Sequence, residues 1–180
     1  MEDQAHEAYL SLVSQARLPE FFNGLNVPDT LDGRFELICL HMVLILRRLK
    51  DVPIQDPLFA QVRLFGQALY DTMFIDFDLS LREMGVGDMG IGRRVKEMVQ
   101  ALHGRIEAYA ISEVWDQSAV SKLREAISRN LYGTCQPQGT CVEQMVDYVV
   151  RAWEGLSKQS ASQILKNPSW PQHIERGVNG

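Results

Sequence analysis

Along nearly the whole chain, apolar residues recur three or four positions apart, the spacing that gathers them on one face of an α-helix. No stretch alternates apolar with polar residues or carries the Asn-Gly punctuation of a hairpin, so the pattern predicts an all-α protein. The first amphipathic helix is predicted over about Gln4 to Arg17, with Ala5, Tyr9, Leu12, Val13 and Ala16 on one stripe. Pro19 and the loop residues Asn23, Gly24, Asn26 and Pro28 end that unit. A second helix runs from about Leu31 to Lys50, behind the N-cap candidates Asp29 and Thr30, with Arg47, Arg48 and Lys50 against the negative end of its dipole. Its middle, Leu37 to Leu46, is apolar on all sides, as in a central helix surrounded by others.

A third helix follows Pro57 and reaches about Arg82, with Leu58, Val62, Phe65, Leu69, Met73 and Phe77 as its main stripe. It carries a second apolar stripe, Leu64, Ala68, Ile75 and Leu79, which calls for a second neighbour or faces a partner. A Gly-rich loop, Gly85 to Gly92, leads to a fourth helix ending near Trp115. The fifth is predicted over Ser118 to Tyr132, stopped by a left-handed Gly133, and the sixth over Thr140 to about Lys158. The remainder is polar and broken by proline, with a short apolar patch at Ile164, Leu165 and Trp170, and is expected to fray or dock loosely. The expected architecture is a single-domain bundle of about six main helices around a central apolar one. Its parts are an N-terminal helix and loop (1–28), a helical body (29–158) and a polar tail (159–180).

At 180 residues the chain is long enough to bury a full core without metals or disulfides, and 46% apolar against 23% charged residues is an ordinary globular balance. A net charge of −5, from 18 basic and 23 acidic residues, argues against a DNA-binding protein and restricts any anionic partner to a local patch. Three cysteines, at 39, 135 and 141, make no disulfide framework, which points to a reducing, cytoplasmic location. The start, MEDQAHEAYL, has neither a signal peptide nor an import presequence, and the longest apolar run is too short to cross a bilayer.

Gly85, Gly87 and Gly90 spell G-x-G-x-x-G, but a dinucleotide-binding turn needs a preceding strand and here the preceding residues have helical period. The glycines are therefore expected to make a helix-to-helix turn, with Asp88 capping the helix beyond. Arg93, Arg94 and Lys96 follow in what the pattern places as the first helical turn, where cations oppose the dipole and free amides would suit an anionic group. At Arg47, Arg48 and Lys50 the helix terminus itself accounts for the same spelling. Asp76, Asp78, His103 and Glu107 make the strongest polar neighbourhood, although Asp76 and Asp78 diverge on a helix and Asp78 suits an ion pair with Arg82. No nucleophile with a base and an orienting residue can be assembled, and neither a metal site nor a cofactor is expected. His41, inside the apolar helix, reads as a core histidine.

The stretch from Ala68 to Tyr109, above all LREMGVGD followed by glycine and a basic run, resembles the ubiquinol–cytochrome c chaperone family, and GRFELICLHMVLILRRLK resembles its opening helix. The similarity extends from about Leu31 to Leu156. It implies a non-enzymatic assembly chaperone for respiratory complex III that binds newly made cytochrome b, with a small helper protein and the ribosome as further contacts. A peripheral position at the inner membrane is implied with it. Carried over by the resemblance are Arg82, Glu83, Gly85, Gly87, Asp88 and Gly92, with Arg93 and Lys96 as an extension. Together with Arg94 these are the candidate partner-binding residues. The rival readings are a small-molecule binder or enzyme built on Asp76, Asp78, His103 and Glu107, and an anion or RNA contact at Arg93, Arg94 and Lys96.

Overall fold

A computed structural model describes residues 1–109, 111–172 and 174, and among them it has eight α-helices and no strand. These are α1 (Glu2–Ala16), α2 (Pro19–Asn23), α3 (Leu31–Lys50), α4 (Phe59–Glu83), α5 (Asp88–Tyr109), α6 (Gln117–Asn130), α7 (Cys141–Ser157) and α8 (Ala161–Lys166). The apolar helix α3 is the hub, touching α1, α4, α5 and α7. Around it the others close in order, α1 on α4, α4 on α5, α5 on α6 and α6 on α7, while α8 packs on α1 and α4. The all-round apolar middle of α3 is thereby buried on all sides, from Leu37 to Ile45.

Both ends of α3 are determined locally. Thr30 Oγ1 accepts the Gly33 amide at 3.1 Å, and a Cβ on Gly33 would lie 2.0 Å from the Pro28 carbonyl oxygen, so the chain enters this helix only through glycine. At the other end Arg48 does more than oppose a dipole. Its guanidinium donates to the carbonyls of Leu156 (3.2 Å) and Gln159 (2.6 Å), closing the C-terminus of α7, and Arg47 donates to the Ile111 carbonyl and lies over the Trp153 ring.

Several expectations are corrected. Pro19 does not only end α1; it opens the short α2, since proline is well placed at a first helical turn. Helix α5 begins at Asp88, four residues before the end of the expected loop, and stops at Tyr109 rather than near Trp115. Gly133 is not left-handed: α6 needs glycine there because a Cβ would lie 2.3 Å from the Arg129 carbonyl oxygen. The segment after α7 does not fray up to Pro171. Ser160 and Gln163 form a reciprocal capping box, Ile164 and Leu165 are buried, and the Trp170 ring meets His41 edge-on at 5.0 Å.

His41 is a core histidine with a defined tautomer. Its Nδ1 lies 2.7 Å from the Leu37 carbonyl, which only accepts, so Nδ1 carries the proton and Nε2 accepts from the Tyr148 hydroxyl at 2.6 Å. That hydroxyl accepts in turn from Gln15 Nε2 (3.1 Å), which also donates to the Pro171 carbonyl (3.2 Å). Complete burial pushes the imidazole pKa down to about 4.

Candidate functional site

The turn between α4 and α5 is built by its own residues. Gly85, at φ +80°, ends α4 in a Schellman motif, with Val86 N–H bonded to the Leu81 carbonyl and Gly85 N–H to that of Arg82. The Gly87 carbonyl then accepts the amides of Gly90 and Ile91 and starts α5. Arg82 spans the corner, donating to Asp78 (2.6 Å) one turn back and to Asp88 (2.7 Å) across the turn. These two carboxylates raise the guanidinium pKa. Asp88 thus answers Arg82 instead of capping α5. Of the signature positions, Arg82, Gly85, Gly87 and Asp88 hold the corner, whereas Gly92 lies exposed beside it and Glu83 is exposed with no side-chain bond among the described residues.

Because α5 starts at Asp88, the basic cluster lies in its second turn and is removed from the free amides. Arg93 and Arg94 approach Glu97 at 4.0 and 3.6 Å, Arg94 also approaches Asp32 at 3.8 Å, and Lys96 is exposed with no ion pair among the described residues. The expected union of cations with helix-terminal amides does not form.

The polar neighbourhood of the rival reading is not assembled either. Asp76 accepts the Tyr9 hydroxyl at 2.8 Å, Asp78 is taken by Arg82, His103 faces the Tyr70 hydroxyl at 3.3 Å, and Glu107 stands exposed. Among the described residues no group of three His, Cys, Asp or Glu could hold a metal ion.

Among the described residues no helix covers the second stripe of α4; only the start of α1 stands beside it, and Ala68 is half-buried. Leu64, Ile75 and Leu79 are 63%, 62% and 54% exposed and, with Ala68, share about 60° of the helix surface at about 100° per residue. Asp71 and Asp78 border the row. Beyond its end the corner exposes Met84 and, at 95%, Met89. These two methionines were not singled out from the sequence, although their place among glycines and charges at a turn was a signal for exposure. Near Leu64 and Ile75 the row opens into a cleft rimmed by Glu2, Asp3 and Asp71.

The model of the family described as ubiquinol-cytochrome C chaperone matches residues 23–170, which include the central helix, the α4 row and the corner. The chain belongs to that family. The crystal structure of the Cbp3 homolog from Brucella abortus is similar, with a TM-score of 0.78 and 28% sequence identity over 96% of this chain and 91% of that one. Among curated proteins none matches at a significant level. Family and structural likeness together identify a non-enzymatic assembly factor, a chaperone of ubiquinol–cytochrome c reductase, complex III. No helix of the described residues is long and apolar enough to cross a membrane.

Proposed function

We propose that this chaperone holds newly made, unassembled cytochrome b on the outward row of α4 and the corner beyond it. The observation that carries the reading is the unpartnered row Leu64, Ile75 and Leu79, continued by Met84 and Met89. A transmembrane client presents aliphatic side chains with cationic flanks, and this row is aliphatic with the acids Asp71, Glu83 and the Glu2–Asp3 rim beside it. Methionine suits a surface that must accept irregular apolar shapes. Covering each aliphatic side chain stabilises a complex by on the order of 2 kcal/mol, and the sum is comparable with the cost of association, so the hold is reversible. Arg93, Arg94 and Lys96 then remain for a helper protein or the ribosome, and Glu83, Gly87 and Gly92 for the client at the corner.

The test is a strain lacking the gene, complemented with the wild-type chain or with Ile75→Ser/Leu79→Ser. Deletion should lower complex III and spectroscopic cytochrome b before other respiratory complexes. The variant should melt like wild type yet fail to restore them and fail to co-purify cytochrome b. Normal cytochrome b in the deletion strain would sink the proposal, and full rescue by the variant would remove the α4 row from it.

A further inference from the structure

Away from the corner, where α3 and α5 end and α4 begins, the three helices leave two adjoining clefts of about 400 and 300 Å³ that share Leu46, Lys50 and Arg63. Their apolar lining is Val43, Leu46, Leu49, Val62, Ile106 and Ile111, with Ile106 41% exposed at the mouth. The charged groups on them are all cations: Arg47, Lys50 and Arg63. Among the described residues no carboxylate lines either cleft, although the chain as a whole carries −5. Arg47 is already answered by Asp51 and Glu113. Lys50 and Arg63 make no ion pair among the described residues, and both side chains are exposed.

Two unanswered cations lining one apolar concavity repel each other, and their charged heads gain nothing from the hydrocarbon beneath them. An anion attached to a hydrocarbon chain satisfies both features. We propose that this cleft binds a single-chain anionic amphiphile, its head between Lys50 and Arg63 and its tail along Leu46, Ile106 and Ile111. The volumes fall in the range of small-molecule sites, which are mostly apolar with a few orienting polar groups. A free phosphate would leave the floor wet. A specific protein partner needs roughly 1,000 Å² or more of buried surface, for which so small a concavity is not required.

The test uses the purified full chain and calorimetry with monomeric lysophosphatidate and oleate, below the concentrations at which they form micelles. Lysophosphatidylcholine supplies the same tail with a neutral head, inorganic phosphate supplies a head alone, and an acidic leucine-containing peptide stands for a protein partner. Lysophosphatidate and oleate should bind, lysophosphatidylcholine should bind about tenfold or more weakly, and phosphate alone should not bind at millimolar concentration. Lys50→Gln/Arg63→Gln should melt like wild type and lose about tenfold or more in affinity for both anionic amphiphiles. Ile106→Trp, which fills the mouth, should weaken lysophosphatidate binding with both cations in place. Absence of amphiphile binding, equal affinity in the double variant, phosphate binding as tight as lysophosphatidate, or preference for the peptide would each overturn the proposal. None of these outcomes involves cytochrome b, so the result is independent of the client reading.

Discussion

Burying the neutral imidazole of His41 ties the stability of the chaperone to pH. The folded chain holds the ring near a pKa of about 4 against 6.5 in the unfolded chain, so between those values the unfolded state binds more protons. The contribution is complete above about pH 6.5 and drains as pH falls towards 4, a difference of about 3 kcal/mol across the window. Denaturant unfolding at pH 7 and pH 5 should show this loss. In His41→Phe the same comparison should be flatter by about 2 kcal/mol, whatever its stability at pH 7. Glycines give a second set of outcomes. Gly33→Ala and Gly133→Ala would drive a Cβ into backbone carbonyls and should unfold the chain or lower its melting temperature severely. Gly92→Ala meets nothing within 4 Å in a helix and should be neutral or stabilising by about 0.5–1 kcal/mol. Gly85→Ala, at positive φ, should cost about 1–2 kcal/mol without clash.

Helix α3 was legible to the residue because its N-cap, unbroken apolar middle and basic end all lie within one segment. The α4 row was legible as surplus, since a helix with two apolar stripes has one more than its packing on α3 requires. The start of α5 was not legible. Four glycines within eight residues look like loop by composition, yet Gly90 and Gly92 lie in a helix whose first turn is set by the Gly87 carbonyl. That displacement changes the expected behaviour of the basic cluster. From the second turn, Arg93, Arg94 and Lys96 feel little of the dipole, and their pairs with Glu97 and Asp32 are long and exposed. Changing all three to Gln should leave the thermal midpoint close to wild type. If they contact an acidic partner, the variant should lose that binding, and wild-type binding should weaken as salt rises. The role of Arg48 was hidden for another reason: its partners lie 108 and 111 residues away on α7 and the turn after it.

At the scale of the whole molecule, the buried rings of Phe21, His41 and Tyr148 and the half-buried ring of Trp170 join α2, α3, α7 and the segment after α8. Trp170→Ala should therefore act beyond its own position. Removing the half-buried ring should lower stability by about 2 kcal/mol and, by admitting water, should raise the His41 pKa, which nuclear magnetic resonance titration of the imidazole can read. A melting curve shifted without any change in that titration would mean that the tail covers the histidine by other contacts. The bond from Gln15 to the Pro171 carbonyl, 156 residues away, has a consequence for how the chaperone is made. During synthesis α8 and the chain around Trp170 emerge well after α1, so the seat of α1 cannot be completed until the segment that follows α7 has left the ribosome. Closing such a distant pair is a late, slow event for a helical protein, and it adds to the non-consecutive contacts, α1 with α4 foremost, that dominate this bundle. A chain released only as far as α7 therefore still exposes the part of α1 that α8 covers, and the α4 row is presented on a closed body only once α8 is seated.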